Sequence, residues 1–288
     1  MKKVSIIGAG WLGQTLAAKL AEQGYCVTAT SRDLDKLKKI QAKGIKTCQL
    51  DLDNLLAAKL DEAALKAVFD TDIVIGCFPP GFRSGRGHNY LKYWLKLTDY
   101  CNQYAVKRLV FCSSTAVYPE IAQSFTESDL PLALTEDITT HELLSEKGLA
   151  LWQVEAEVAK AFNGELMVCR LAGLFGPDRD PANFVKRLKA ISSKMPVNMV
   201  HREDVVAAIH FLLTLNTLPD VINISCPEQM SKRAFYQLAL DARCQDESLQ
   251  DKVDNQQAGK HISSQKLIEL GYQFIYSEQK KALVSLQN

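Results

Sequence analysis

No apolar run in this 288-residue sequence approaches the length that crosses a bilayer, so no membrane partner is expected. Neither sign of charge dominates. Thirty-four Lys and Arg against 33 Asp and Glu leave a formal net charge of +1, and no basic stripe, zinc pattern or aromatic-basic repeat stands out. Nucleic acid is therefore not an expected partner. Eight cysteines are present but no CxxC, and Cys26, Cys48, Cys77, Cys112 and Cys169 sit in apolar, strand-like runs. They read as small core residues of a reducing compartment rather than bridges or metal ligands. The His-Glu-x-x-His spacing is also missing, and His201 with Glu203-Asp204 does not replace it, so no metal is expected. Lys2-Lys3 and the apolar residues after them imitate a secretory signal. Gly8, Gly10, Gln14 and Lys19 interrupt the segment, and cleavage would delete a strand, so a cytoplasmic protein is expected.

What is present begins with Val4-Ser5-Ile6-Ile7, a buried strand by composition, running straight into Gly8-Ala9-Gly10-Trp11-Leu12-Gly13. Three glycines at this spacing between a strand and a helix outline a dinucleotide site. Gly8 permits the tight turn, Gly10 lets the backbone approach a pyrophosphate, and Gly13 lets the helix pack close to the sheet. Free N–H groups at the helix start, from Trp11 and Leu12 on, would face the phosphates.

The first half alternates β-branched runs (Val4–Gly8, Cys26–Thr30, Lys46–Gln49, Ile73–Cys77, Arg108–Ser113) with helical patterns that include Leu12–Gln23, Asp33–Lys43 and Asn89–Tyr104. That alternation predicts parallel strands joined by crossover helices. Periodicity loosens from Glu127 to about Gly148; a helix over Trp152–Phe162 and a strand over Leu166–Arg170 follow. Beyond them, helices near Asn183–Ser192 and Arg233–Ala242 bracket a return to the sheet at Asp204–Leu215 and Val221–Ile224. A last helix begins near Ser264, and Ser277–Leu286 reads as one more short helix. The expected architecture is α/β: a doubly wound parallel sheet over 1–170 with 204–225 returning to it, and a smaller, discontinuous lobe from 171–203 and 226–288. An exposed apolar face on Asn89–Tyr104 or Trp152–Phe162 would support a homodimer.

The second strand ends in Thr30-Ser31-Arg32 where an NAD site usually carries an acid. Ser31 can donate to a 2′-phosphate and Arg32 can pair with it, which favours NADP. Asp33 is either the N-cap of the next helix or a ribose ligand that restores NAD. Asp51 is placed to accept from an adenine amino group with Leu52 against the ring, and Gly76-Cys77-Phe78-Pro79-Pro80-Gly81 is either a rigid wall of the cofactor site or only a turn.

These segments resemble the extended short-chain dehydrogenases/reductases, in their atypical YeeZ-like branch related to nucleotide-sugar epimerases and dehydratases. The likeness rests on the glycine turn, Leu109-Val110-Phe111-Cys112-Ser113-Ser114-Thr115-Ala116-Val117-Tyr118, Arg170–Pro177, Val200–Val206, and Leu270-Gly271-Tyr272. It implies an N-terminal Rossmann domain, a C-terminal substrate lobe and a reaction cleft between them. In the family a Ser or Thr after the fifth strand works with a Tyr-x-x-x-Lys pair, the Tyr exchanging a proton with substrate as hydride moves. Ser114 matches the first position, flanked by Ser113 and Thr115, with Ser113 also beside the cofactor.

The pair itself is missing. Aligning Glu157 with the family's helix glutamate puts Leu149 and Gln153 at its positions, and no tyrosine lies between Tyr118 and Tyr236. Tyr118, His201, His141 and His88 are the substitutes available. Arg83, Arg86, His88 and Arg179 are candidate contacts for a small anionic substrate. Two readings stay open: an NADP-binding oxidoreductase or epimerase-like protein acting on a small polar carbonyl, alcohol or sugar-related substrate, or a catalytically inactive NAD(P)-binding sensor or regulatory protein.

Overall fold

The computed structural model describes residues 1–81, 85, 87–132, 142–243, 249 and 251–287. Its strands are β1 (Lys3–Ile7), β2 (Cys26–Ser31), β3 (Lys46–Gln49), β4 (Ile73–Gly76), β5 (Arg108–Ser114), β6 (Ser124–Phe125), β7 (Glu165–Leu171), β8 (Gly173–Phe175), β9 (Met199–His201), β10 (Val221–Ile224) and β11 (His261–Ile262). Seven of them form one sheet in the order β10-β7-β5-β4-β1-β2-β3. Every neighbouring pair in it is parallel. The chain moves from β1 outward to β3, then returns to β4 on the other side of β1. Ligands in such sheets bind at that reversal, outside the C-terminal ends of the central strands.

The helices are α1 (Trp11–Glu22), α2 (Leu34–Gln41), α3 (Leu52–Leu56), α4 (Glu62–Phe69), α5 (Tyr90–Gln103), α6 (Glu146–Ala161), α7 (Ala182–Val185), α8 (Arg202–Thr214), α9 (Lys232–Asp241), α10 (Gln265–Glu269) and α11 (Gln279–Val284). Side-chain caps fix many of the starts: Asp33 for α2, Asp61 for α4, Ser145 for α6 and Ser231 for α9 each accept from a first-turn N–H. Successive residues of a strand face opposite layers, as the pleat requires. Ile6 packs with Leu16, Leu20, Val205 and Ile209 beneath α1 and α8, whereas Ile7 packs with Phe69, Trp94 and Trp152 beneath α4, α5 and α6. A third cluster built on Phe175, Val185, Val197, Phe235, Leu240 and Leu283 forms the core of the C-terminal segments.

Three sequence expectations change. Of Asp204–Leu215, all but the C-cap Leu215 lies in helix α8, which packs against the sheet, and only Val221–Ile224 enters the sheet, as its edge strand β10. The helix expected over Asn183–Ser192 stops at Val185: Arg187 N and Leu188 N then donate three residues back, to Phe184 O and Val185 O, and Ile191 N donates to Val253 O at 2.9 Å. Helix α6 begins at Glu146, six residues before Trp152, since Ser145 Oγ accepts from Gly148 N at 3.1 Å. The apolar faces of α5 and α6 are spent inside the chain: Tyr93, Trp94, Leu97, Leu151, Trp152 and Val158 share one buried cluster. No helix among the described residues is long and apolar enough to cross a membrane.

Candidate functional site

The glycine turn is built as tightly as its sequence implies. Gly8 has φ +90°, and a Cβ there would lie 3.2 Å from Phe78. Ala9 N donates to Thr30 O at 2.7 Å and Gly10 N to Gly8 O at 2.7 Å, which folds the chain back over β1. At Gly13 a Cβ would stand 2.6 Å from the Gly8 carbonyl oxygen, so α1 reaches this close only without a side chain. Gly10 is the N-cap and offers no side chain to the first N–H groups of α1, Trp11 and Leu12 among them; no acid occupies the first turn either. The positive end of the helix is left for an anion.

In front of that end lies a cleft of ≈ 280 Å³ lined by Gly8, Gly10, Ser31, Arg32, Asp51, Leu52, Phe78, Pro79 and Tyr93. Arg32 is exposed and, among the described residues, has no carboxylate partner. Asp33 is the cap of α2: its Oδ1 accepts from Asp35 N at 3.1 Å and Lys36 N at 3.2 Å. The Lys36 backbone bond, together with the Lys36 ammonium, holds this carboxyl below its ordinary range. Ser31 Oγ accepts from Asp33 N at 3.1 Å and keeps its own proton for a ligand. Asp51 caps α3 through Asp53 N at 2.9 Å, with Leu52 beside it at the cleft wall. Phe78 is buried, stacked 4.7 Å from Trp94, so the 76–81 segment meets the cleft as a rigid floor. Trp94 also explains Gly76, where a Cβ would overlap its ring at 2.2 Å.

The end of β5 differs from expectation. Ser113 Oγ donates to Glu155 Oε1 at 2.5 Å, and Arg170 donates to Glu155 Oε2 from Nε at 3.0 Å and from Nη2 at 2.7 Å. Arg170 Nη1 also donates to Tyr118 Oη at 2.9 Å, and Tyr118 in turn donates to Asn223 Oδ1 at 2.9 Å. Glu155, Arg170 and Asn223 are completely buried and Tyr118 almost so. A buried guanidinium needs a carboxylate, and the carboxylate's second oxygen needs a donor. Glu155 meets the first need and Ser113 the second, while Tyr118 accepts the remaining Arg170 N–H, so both hydroxyls are engaged inside the protein; burial, moreover, pushes the Tyr118 phenol up, with Arg170 opposing. The glutamate of α6 that faces the sheet is thus Glu155, while Glu157 pairs with Lys160 at 3.0 Å. Leu149 is half-buried against the core and Gln153 is exposed, so neither supplies a proton relay. Moving the alignment onto Glu155 brings Lys147 and Leu151 to the pair positions, again without a tyrosine.

Ser114, by contrast, opens onto a second cleft of ≈ 190 Å³, shared with Thr115, Ala116, Glu120, Asn198, Lys232 and Lys260. Its Oγ accepts from Ala116 N at 3.2 Å, which leaves the hydroxyl proton to donate. Sequence reasoning missed both lysines. Lys260 Nζ donates to Thr115 O at 2.9 Å, Tyr118 O at 2.8 Å and Glu120 Oε1 at 2.8 Å. Lys232 has no such acceptor among the described residues, and burial lowers its pKa, Glu120 opposing the shift and Lys260 adding to it.

The remaining candidates serve other ends. Arg179 and Arg202 lie over the Trp11 ring, each 4.8 Å from its centre, and Trp11 Nε1 donates to Pro177 O at 2.8 Å. His201 caps α8, accepting from Glu203 N at 3.3 Å; burial lowers its pKa to about 4, with Arg202 adding to the shift. Arg202 pairs with Glu203 at 3.1 Å rather than with Asp204, which is buried and accepts from Tyr272 Oη, Ile275 N and Tyr276 N. His88 is exposed, its Nδ1 2.9 Å from Gly85 O. Arg83, Arg86 and His141 lie outside the described residues. No group of three potential metal ligands occurs among the described residues, and Cys77 and Cys112 face one another as thiols at 3.6 Å.

Residues 4–225 match the model of the NAD dependent epimerase/dehydratase family. Over 281 residues the chain is 30% identical to Protein YeeZ of Escherichia coli strain K12, covering 96% of this chain and 97% of that protein. Among solved structures it is similar in fold to the UDP-glucose 4-epimerase of Thermus thermophilus in complex with NAD, at a TM-score of 0.72 and 19% identity, covering 99% of this chain and 98% of that one. It is likewise similar to the dTDP-glucose 4,6-dehydratase of Bacillus anthracis in complex with NAD, at a TM-score of 0.74 and 14% identity, covering 100% and 97%.

Proposed function

Since the chain belongs to the NAD-dependent epimerase/dehydratase family, we propose that it binds a nicotinamide dinucleotide and acts as an oxidoreductase or epimerase-like protein on a small polar carbonyl or alcohol substrate. The observation that carries this reading is the helix end behind the glycine turn, where Gly10 leaves α1 uncapped and Gly13 admits no Cβ. Bound there, a nicotinamide dinucleotide supplies hydride exchange with a substrate carbon. The chain does the rest. The α1 N–H groups hold the pyrophosphate, Asp51 and Leu52 take the adenine, and Ser114 donates to the substrate oxygen from the neighbouring cleft. Residues 1–170 with 204–225 serve as the dinucleotide unit, and 171–203 with 226–288 as the substrate lobe.

NADP is the preferred form, because Arg32 is free at the cleft while Asp33 is engaged as a cap. NAD is the second reading, favoured by the bound cofactor of the epimerase and dehydratase neighbours. Titrating the protein with NADPH and with NADH, followed by tryptophan-to-nicotinamide energy transfer, tests both. Saturable binding of either supports the site, tighter binding of NADPH supports the preference, and Gly13→Ala weakens both. Failure of both nucleotides to bind folded protein removes the proposal. A dinucleotide sensor without turnover is the competing function, favoured by the burial of Tyr118 and the absence of a tyrosine on α6.

A further inference from the structure

The second cleft carries an imbalance of charge that the dinucleotide site does not explain. Lys232, Lys260 and Glu120 line it, and the single carboxylate among these is engaged by Lys260 at 2.8 Å. Lys260 is saturated: its three donors go to Glu120 and to the Thr115 and Tyr118 carbonyls. It acts as a strut that ties the 115–120 turn to the C-terminal segments. Lys232 is left over, half-buried at the start of α9, with no acceptor among the described residues. A partly desolvated ammonium without a partner is costly, and an anion entering the cleft offsets that cost. Ser114, in the same lining, offers a neutral donor: its Oγ accepts from Ala116 N at 3.2 Å and keeps a hydroxyl proton to give to a ligand.

We infer that this cleft is a subsite for a small hydroxy or oxo acid, its carboxylate or phosphate held by Lys232 and its carbon-bound oxygen by Ser114. Size argues in the same direction. At ≈ 190 Å³ the cleft falls below the roughly 300–1,000 Å³ of pockets for drug-sized ligands, so a compact acid suits it better than a nucleotide sugar. Asn198 holds the third side in place, its amide donating to Lys260 O at 2.9 Å and its carbonyl accepting from Ile262 N at 2.9 Å. The inference deepens the proposed function by naming a substrate class for the same site.

Its test uses glycolate, the smallest acid with both groups, against neutral glycolamide, with inorganic phosphate as a third probe. Each is titrated into the intact protein while the backbone amide resonances of Ala116 and Asn198 are followed, first alone and then with NADPH saturating the other cleft. Glycolate should move both resonances saturably, and phosphate should too if a phosphate group is accepted; glycolamide should not. Lys232→Met should weaken glycolate about tenfold or more, the scale of one charge-assisted hydrogen bond, and Lys232→Arg should retain it. Equal binding of glycolamide, equal binding by Lys232→Met, or no saturable shift with wild type overturns the inference. Gly10 and Ser31 amides report the dinucleotide separately, so glycolate binding to a protein that binds neither NADPH nor NADH would sustain this subsite while removing the cofactor reading.

Discussion

Trp11, inside the glycine turn, donates its indole N–H to the Pro177 carbonyl at 2.8 Å, a bond between residues 166 apart in sequence. The turn and the 176–179 loop are therefore one rigid corner. A Cβ on Gly176 would stand 3.3 Å from the Trp11 ring, and Arg179 and Arg202 cover that ring on top of this. A residue read from the sequence as part of a phosphate turn also fastens the C-terminal segments to it.

Trp11→Ala should cost about 2–3 kcal/mol in urea unfolding, summing one hydrogen bond and two exposed cation–π contacts. Trp11→Phe, which keeps a ring but no donor, should cost about 1 kcal/mol. Equal losses for the two variants would assign the whole effect to the hydrogen bond and none to the ring.

Glu155 and Arg170 are both fully buried, so Glu155→Gln leaves a guanidinium uncompensated and should cost about 3–5 kcal/mol. Replacing both residues together, as Glu155→Gln with Arg170→Met, should recover much of that loss. Chemical denaturation of the two singles and the double gives the coupling, and simple additivity would contradict a charge pair.

His201 titrates near pH 4 when folded, below its ordinary 6.5. Between these values the unfolded chain binds the proton more readily, so His201 contributes stability above pH 6.5 that is lost as pH falls toward 4. His201→Asn keeps an acceptor for Glu203 N and removes the titration. Its stability should fall less steeply than wild type across that window; parallel profiles would show that other groups set the slope.

Arg32→Ala should weaken NADPH about tenfold and leave NADH unchanged, the expected share of one exposed charge-assisted contact with a 2′-phosphate. Paired fluorescence titrations decide it. Loss of both nucleotides alike would mean that Arg32 supports the cleft in general.

The sheet was legible because β1 to β5 and β7 are short β-branched runs separated by helices, a local signal that survives without tertiary information. Helix α8 was not, since Val205-Val206-Ala207-Ala208-Ile209 is apolar almost throughout, and its start rests on a histidine cap rather than a serine or aspartate. The glycine turn was legible for the same local reason as the strands. Ser113 and Tyr118 were misplaced because their partners, Glu155, Arg170 and Asn223, come from three later elements. One signal was available: an arginine inside the apolar run 166–171 and a glutamate on the apolar face of α6 ask for each other. Lys260 gave no such sign, for it meets Thr115 across 145 residues and no sequence spacing encodes that contact.

Asp204 gives the molecule a late step in its assembly. Its donors, Tyr272, Ile275 and Tyr276, lie 68, 71 and 72 residues downstream, so a ribosome releases the acid well before the groups that neutralise its burial. Burying the carboxylate without those donors is costly, which ties the packing of the first turn of α8 to the 272–276 segment. A chain that ends before Tyr272 lacks all three donors, and the acid at the start of α8 then has no partner for its burial.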